Sequence, residues 1–428
     1  MSFKTITMRF GRRRVLVARP NGRQYGHLGL EIVMSLASAR KNGADVYLVR
    51  SDTPLGGGLF ELESPDVRVL RPTPLVRELF RTCISLRKFR ERVDDWRDEF
   101  REHLEQEFVR EATRYVTDPG MPQEVRERLR GVRGRLRASL ERAMRDKRRR
   151  PTYYMRRLLR EPVPVHLHPA ANEDAARQAL AHGIPPDARL VCMHAREAGY
   201  KSGAEIQDTK PDDGRDDTAR NARIESYLEA ADELVRRGYI VIRLGDPSMT
   251  PVNRPGVIDL AISPARTNLL EVYCLLRCEF IIAGESAYVN LVYLTNTPIL
   301  LVNATEPISA YPIRGPGLFL PKTVVDKRDG RRLTNTDLVS FEYHRQLRDR
   351  RRYLYVDNTP EEIRLATEEM LDWVGGRWTE SPGQRTYHDV IIAASKALWS
   401  RSGYVRKWGL DEGFLGDGRI AKVALGTQ

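Results

Sequence analysis

The segment from Gly256 to Asn303 constrains the fold more than any other part of this chain. Its apolar run Phe280–Ala283 is short, does not alternate with polar residues, and is bounded by charge and glycine, which is the pattern of a parallel strand buried on both faces. A turn of small and polar residues follows at 284–287, then a segment of helical character, and a second buried strand follows the break at Thr297-Pro298. This order of strand, turn, helix and strand predicts a βαβ unit within a parallel sheet.

The turn at 284–287 is the first candidate ligand site. It lies where the carboxyl end of a strand meets the amino end of a helix, and there free backbone N–H groups and the helix dipole favour an anion such as phosphate. Glu285, Ser286 and Ala287 are therefore candidate substrate-binding residues. The turn alone leaves open the alternative of an ordinary crossover with a polar connection.

The chain of 428 residues is too long for one compact core, and this length predicts two domains with elaborations. Strand and helix patterns alternate over residues 14–75 and again over 190–303, which indicates the α/β class with parallel sheets. The Pro-rich run at 161–171 has the composition of an interdomain connection. We expect an N-terminal domain over residues 1–165, a C-terminal domain over 166–345, and C-terminal helices with an extension over 346–428.

A basic insertion interrupts the first domain over about residues 77–160, with 25 Lys/Arg against 15 Asp/Glu. Apolar residues recur there at helical spacing, so that one face is expected to pack against the body of the protein. A solvated helical hairpin is the simplest interpretation, and contact with anionic lipid headgroups or an acidic partner is the alternative. Nucleic acid is not expected as a partner, because no interleaved aromatic residues, zinc finger or RNP motif accompany the charge.

The sequence has no signature of a metal site, a disulfide framework or a membrane span. Its four cysteines lack CxxC spacing, which favours packed free thiols of a cytosolic protein. No apolar run approaches the roughly 20 residues that cross a bilayer, and the basic N-terminus lacks a secretory signal core. We therefore expect a cytoplasmic protein without a cofactor, for which peripheral contact with the inner membrane face stays open.

A glycine-containing loop follows the first predicted strand, Arg14–Ala18. Its sequence, NGRQYGHLGLE, contains the candidate substrate-binding residues Asn21, Tyr25 and Gly26. His27 is expected where this loop enters a helix, at the carboxyl end of the strand. Because an imidazole titrates near neutral pH and a loop can aim it into a cleft, His27 is the candidate general base. A histidine that only hydrogen-bonds the start of the helix is the alternative.

A long polar connection follows the predicted strand Leu190–His194. Such loops at the carboxyl edge of a sheet usually serve a ligand, and arginine matches phosphate with a planar fork. A solvated loop is the alternative, which the acidic run Asp212–Asp217 favours for the middle section. The candidate substrate-binding residues of this connection are His194, Arg196, Glu197, Tyr200, Lys201, Arg220 and Asn221.

These motifs together resemble a known family. VIDLA at 257–261, the helical segment after it, EFIIAGES at 279–286 and TPILLVN at 297–303 are similar to the nucleotide-sugar half of GT-B glycosyltransferases, heptosyltransferase-like ones in particular. The early YGHLGLE, the HxRExxY pattern at 194–200 and the Arg-Asn pair at 220–221 are similar to a family of bacterial glycosyltransferases from capsule and O-antigen clusters. The resemblance covers roughly residues 14–60 and 190–315.

The resemblance implies a GT-B fold, in which two Rossmann-like domains face a cleft, here with the arginine-rich helical insertion. It implies that the C-terminal domain binds a nucleoside-diphosphate sugar, whose diphosphate lies at Ser286 with Arg196 or Lys201 offsetting its charge. Asp259 and the loop at 245–246 are expected near the nucleoside, and His27 is expected to face the acceptor hydroxyl. Enzymes of this fold usually need no bound metal, because helix dipoles and basic side chains stabilise the leaving diphosphate. Arg243 completes the set of substrate-binding candidates.

The predicted function is therefore metal-independent glycosyl transfer in polysaccharide biosynthesis, from a nucleoside-diphosphate sugar to a glycan, lipid-linked or natural-product acceptor. The chain departs from the family's D-S-G pattern, since Glu285 and Ala287 replace the aspartate and the glycine, and Asn290 stands where histidine is common. A catalytically degenerate scaffold that binds a partner through the basic insertion is the alternative. An epimerase or hydrolase is disfavoured, because glycines at 22, 26 and 29 do not match GxGxxG spacing.

Overall fold

The computed structural model describes residues 5–20, 25–50, 57–71, 73–86, 113, 120, 122–132, 134, 159–197, 217–401 and 416–426. Over these residues the chain is a mixed α/β protein built around a large parallel sheet. Three predicted site residues, Asn21, Tyr200 and Lys201, lie outside the described residues, as does most of the predicted basic insertion.

The N-terminal part contains a three-stranded sheet with one crossover helix. Strand β1 (Thr5–Phe10) pairs antiparallel with β2 (Arg13–Ala18), which pairs in parallel with β3 (Asp45–Leu48). Helix α1 (Tyr25–Lys41) connects β2 to β3. The predicted strand, helix and strand after residue 14 are thus confirmed, whereas β1 adds an antiparallel edge that the sequence patterns do not predict.

Helical residues 74–86 cover one face of this small sheet. Phe80 and Ile84 are buried there in an apolar cluster with Val17 and Tyr47, and the ring centroids of Tyr47 and Phe80 lie 5.1 Å apart. These helical residues include the first ten of the predicted insertion.

The main sheet contains seven strands in the described part of the chain, and every pairing within it is parallel. Two short antiparallel pairs stand apart from it, β4 with β5 and β12 with β13. The strands after β3 are β4 (Leu62–Glu63), β5 (His166–Leu167), β6 (Leu190–His194), β7 (Ile240–Arg243), β8 (Val257–Asp259), β9 (Phe280–Ala283), β10 (Ile299–Ala304), β11 (Gly317–Pro321), β12 (Thr323–Asp326), β13 (Tyr353–Val356) and β14 (Arg419–Ile420).

The order of strands across the main sheet is β14-β11-β10-β9-β6-β7-β8. The chain therefore starts at β6, runs outward through β7 and β8, and returns to place β9 on the other side of β6. This reversal makes the pair β6 and β9 a topological switch point, and in open α/β sheets ligands bind outside the carboxyl ends of the strands at such a point.

Helices flank the parallel strands and explain why β6, β9 and β10 are buried along their whole length, as expected for strands covered on both faces. From residue 169 on, the helices of the described chain are α2 (Pro169–Ala181), α3 (Leu228–Arg236), α4 (Asn268–Arg277), α5 (Tyr288–Thr295), α6 (Pro307–Ala310), α7 (Asn335–Leu338), α8 (Phe341–Arg345), α9 (Pro360–Val374), α10 (Pro382–Arg401) and α11 (Val423–Gly426).

Most predicted elements of the second half are confirmed. Strands β6 and β9 have the predicted bounds. The amphipathic pattern over 359–374 predicts a late helix, and α9 begins one residue after that start because Thr359 forms a capping box with Glu362. The sequence over 224–237 predicts a single helix, and this prediction is wrong at its start, where Ile224–Tyr227 is a 3₁₀ turn that passes into α3.

The C-terminal tail returns to the main sheet. Strand β14 pairs in parallel with the edge strand β11, and Ile420 is fully buried. Helix α9 packs against α3 and lies beside β10 and β11. Within the described residues, no helix is both long enough and apolar enough to cross a membrane.

Candidate functional site

The candidate site lies at the switch point, outside the carboxyl ends of β6 and β9. Strand β6 ends at His194 and leads to Arg196, whereas β9 ends at Ala283 and leads to the turn 284–287. The Gly284 N–H donates to the His194 carbonyl, with an N···O distance of 3.1 Å. The first residues after the two strands are thus held side by side, which places two separately predicted site segments at one edge of the sheet.

The N-terminal helix α1 packs directly on α5 at this edge. A Cβ built on Gly26 would lie 2.7 Å from the Ala287 Cα, and a Cβ built on Gly29 would overlap the Leu291 side chain. These two contacts advance in the same direction along both helices, so that α1 and α5 run side by side with their N-terminal ends together. Both ends carry the partial positive charge of a helix N-terminus, which concentrates positive potential in one place.

Arg196 lies beside the turn on its β6 side. Its backbone N is 3.9 Å from a Cβ built on Gly284, its carbonyl accepts from the Ala222 N–H at 2.9 Å, and its guanidinium donates to the Asn221 Oδ1. The predicted residues Arg196 and Asn221 are therefore brought together. Arg220 directly precedes Asn221 in the sequence, at the end of the 3₁₀ turn Asp217–Arg220.

The Glu285 carboxylate points away from the open side of the turn and into the protein. It accepts from the Thr305 N–H at 2.9 Å, the Thr305 hydroxyl at 2.7 Å and the Glu306 N–H at 2.7 Å. Arg348 donates to it at 3.0 Å. Because both carboxylate oxygens are bound and the residue is buried, Glu285 ties the turn after β9 to the loop after β10.

Arg243 is fully buried between two carboxylates. It donates to the Glu197 Oε1 at 2.8 Å and to the Asp259 Oδ2 at 2.9 Å. The other oxygen of Glu197 accepts from the Thr250 N–H and hydroxyl, both at 2.8 Å, and Asp259 also accepts from the Val252 N–H. These three predicted site residues thus hold the loop that connects β7 to β8. Their direct contact with a ligand stays a prediction.

The floor beneath the α1–α5 contact contains buried titratable groups. Burial lowers the pKa of His194 to about 4, and its Nδ1–H donates to the Leu244 carbonyl at 3.0 Å. The His194 ring lies 4.4 Å from the Tyr288 ring. Burial also raises the pKa of Glu271 to about 7, although Arg266 donates to this carboxylate at 3.1 Å and works in the opposite direction. His194 is a neutral imidazole at pH 7, because its pKa of about 4 lies well below that pH.

The remaining predicted residues lie near the α1–α5 contact. His27 is half-buried in the first turn of α1, next to Gly26. Ser286 is half-buried in the turn, and its hydroxyl accepts from the Tyr288 N–H at 3.4 Å. The ring of Tyr25 lies 6.4 Å from the ring of Tyr288. The roles of all of these as catalytic or substrate-binding residues stay predictions.

Two residues that support the site, Arg348 and Lys322, have no sequence signal that would have revealed them. Arg348 belongs to a basic run that resembles any solvated charged segment. Lys322 is buried and donates to the Asn221 carbonyl at 2.6 Å and to Asp357 at 2.7 Å. Each partner lies far away in sequence, so that local patterns cannot reveal these contacts.

Among the described residues, no group of three or more His, Cys, Asp or Glu side chains is arranged to hold a metal ion.

Comparisons with known proteins do not identify a family for this chain. No protein-family model matches this chain, and no curated protein matches it. The solved structure of the E. coli ADP-heptose LPS heptosyltransferase II is similar at 15% sequence identity, over 67% of this chain and 83% of that chain, with a TM-score of 0.30. At that TM-score the likeness decides nothing about fold or activity.

Proposed function

We propose that this protein is a glycosyltransferase of GT-B architecture that uses a nucleoside-diphosphate sugar as donor. The observation that carries the proposal is the meeting of two helix N-termini, those of α1 and α5, at the switch point between β6 and β9. Two adjacent positive helix ends repel each other, and an anion between them removes that penalty. A diphosphate is the anion that the motif resemblance also implies.

The donor's diphosphate is proposed to bind backbone N–H groups at the start of α5 and the Ser286 hydroxyl, with Arg196 offsetting its charge. The nucleoside is proposed to lie toward β7 and β8. In the described structure, the Asp246 Oδ2 and the Asp259 Oδ1 are buried and have no hydrogen-bond partner. Ribose hydroxyl groups are donors that would satisfy such oxygens, and this requirement supports the proposed location.

The transfer step needs a base and a stabilised leaving group. The acceptor hydroxyl oxygen forms a bond to the anomeric carbon of the donor sugar while the bond from that carbon to the phosphate oxygen breaks. His27 is proposed to take the hydroxyl proton. The diphosphate leaves with the bonding electron pair, and the helix N-termini and Arg196 stabilise its negative charge without a required metal ion. A glycan or lipid-linked hydroxyl is the proposed acceptor class.

The test is thermal stabilisation of the full chain by ADP, UDP, GDP, CDP and their common nucleotide sugars, with and without magnesium. Binding to the native state raises the unfolding temperature by an amount that grows with the logarithm of the ligand concentration over Kd. We expect one nucleoside diphosphate to stabilise the wild type without magnesium, and Arg196→Ala to weaken that effect by roughly tenfold in Kd. His27→Ala should bind the donor as tightly as the wild type and lose turnover.

The proposal is wrong if folded wild-type protein shows no shift with any of these ligands. A shift that requires magnesium would overturn its metal-independent form. Unchanged donor affinity in Arg196→Ala and Ser286→Ala would overturn the assignment of the anion site.

A further inference from the structure

The turn that is proposed to hold the donor's diphosphate carries a carboxylate of its own. Glu285 stands directly before Ser286, and a negative side chain on the open side of this turn would repel a phosphate. The structure instead turns the carboxylate inward, where it receives four hydrogen bonds from Thr305, Glu306 and Arg348. A buried carboxylate is tolerated in the charged form when it is paired and fully hydrogen-bonded.

Arg348 supplies the positive charge for this arrangement from a distant part of the chain. Its Nη2 donates to Glu285 at 3.0 Å and to Glu306 at 3.2 Å, while its Nε donates to the Thr305 hydroxyl at 3.0 Å. That hydroxyl in turn donates to Glu285. One guanidinium therefore contacts both the turn after β9 and the loop after β10.

The backbone at Arg348 has an unfavourable conformation that neighbouring side chains hold in place. Arg348 has a φ of +61°, which is unfavourable for a residue with a side chain. The Tyr355 hydroxyl accepts from its N–H at 2.8 Å, and the Tyr343 hydroxyl donates to the Thr305 carbonyl at 2.6 Å. Two tyrosines thus fix the segment on either side and hold the guanidinium against the two loops.

We propose that Arg348 is a positioning residue for donor binding, which keeps the Glu285 carboxylate drawn inward and its charge compensated so that the turn 284–287 accepts a diphosphate. The inference rests on the proposed function, because it assigns a role within the same anion site. It also predicts more than a structural ion pair would. Removing the positive charge of Arg348 should weaken anion binding, whereas removing the negative charge of Glu285 should not.

The experiment measures the affinity of the full chain for inorganic pyrophosphate by isothermal titration, with ADP and UDP as second probes. Pyrophosphate is used because it contains the group common to all nucleoside diphosphates. The variants are Arg348→Met, Glu285→Gln and the double variant Glu285→Gln/Arg348→Met. Unfolding in urea is measured for each, so that affinity and stability are compared separately.

Arg352→Met is the matched control. Arg352 is as buried as Arg348, with side chains 13% and 12% exposed, and it also binds two carboxylates, those of Asp326 and Glu342. Neither of these carboxylates belongs to the turn or to the loop after β10. This variant therefore removes the same charge and a comparable ion-pair pattern without exposing the turn to an uncompensated carboxylate.

Arg348→Met should lower pyrophosphate affinity on the order of fivefold or more, because the uncompensated negative charge of Glu285 next to the turn repels a multivalent anion. Glu285→Gln should keep or raise the affinity although it lowers stability, and the double variant should return to within about twofold of the wild type. Arg352→Met should lower stability and leave affinity unchanged. Arg348→Lys keeps the positive charge and should bind pyrophosphate with near wild-type affinity. This variant provides a second measurement if Arg348→Met does not fold.

The inference is overturned if Arg348→Met and Glu285→Gln both weaken pyrophosphate binding in parallel with lost stability, since that result marks a purely structural pair. It is also overturned if neither variant changes affinity, or if Arg352→Met weakens binding as much as Arg348→Met. Absence of binding by wild-type protein to pyrophosphate, ADP and UDP would refute the proposed function itself, and this role for Arg348 with it.

Discussion

Replacing Gly26 with alanine tests whether the contact between α1 and α5 builds the anion site. The added Cβ would lie 2.7 Å from the Ala287 Cα and 2.9 Å from the Ala287 carbonyl oxygen, both backbone atoms, whereas ordinary contact begins at 3.4 Å. The helices must therefore separate by about 0.7 Å, the difference between 3.4 and 2.7. Overpacking of this kind costs about 1–3 kcal/mol, and the better helix propensity of alanine offsets at most about 1 kcal/mol of it.

The same displacement moves one of two helix N-termini away from the bound anion. An N-terminus contributes roughly 1 kcal/mol to a nearby negative charge, so that Gly26→Ala should weaken pyrophosphate binding by up to about fivefold by titration calorimetry, the limit being loss of that whole contribution. Its free energy of unfolding in urea should fall by about 1–2 kcal/mol.

Two glycine variants serve as controls. Gly29→Ala meets the end of the Leu291 side chain, which can rotate away, and Gly57→Ala meets no atom within 4 Å. Gly29→Ala should lose some stability with little change in affinity, and Gly57→Ala should change neither. Wild-type pyrophosphate affinity in Gly26→Ala would refute the reasoning, because the site would then not depend on how closely the two helices approach.

Two further predictions concern buried charges. Arg243→Met should destabilise the fold by about 3–5 kcal/mol in urea unfolding, because it leaves the Glu197 and Asp259 carboxylates without their cation; a loss below about 1 kcal/mol would contradict this. Glu271 has a raised pKa, about 7 against an ordinary 4.5. Between these two pH values Glu271 keeps its proton in the folded state and has lost it in the unfolded state. Stability should therefore fall by about 3 kcal/mol as pH rises through that window. Glu271→Gln should flatten this dependence, and an unchanged slope would rule out Glu271 as its source.

The parallel core could be predicted from the sequence because each central strand is an unbroken apolar run. Phe280–Ala283 and Leu190–His194 appear in the structure with the predicted bounds, since burial on both faces removes polar alternation and leaves glycine or charge at the ends. Edge strands carry no such signal. Strand β14 has two residues and follows an undescribed stretch, so that its pairing with β11 depends on a tertiary contact rather than on a local pattern.

The candidate site could be predicted as separate segments but not as an assembly. The resemblance identifies the loop before α1 and the turn before α5 as site segments, yet it does not indicate that Gly26 contacts Ala287. Nor does it indicate that Arg243, Glu197 and Asp259 bond to one another. A residue type that suits phosphate or ribose also suits an internal ion pair, and only the three-dimensional arrangement distinguishes the two uses.

The departure from the D-S-G pattern shows how a substitution that appears unfavourable in sequence can be compensated in the fold. Glutamate is one methylene longer than aspartate, and in the structure its carboxylate reaches the Thr305 and Glu306 N–H groups across the turn. Its charge is then met by Arg348, 63 residues away. An acidic residue in this turn is thus no evidence against anion binding unless Arg348 is also lost. The two positions act as one unit, and their substitutions should be non-additive in affinity, which the double variant measures directly.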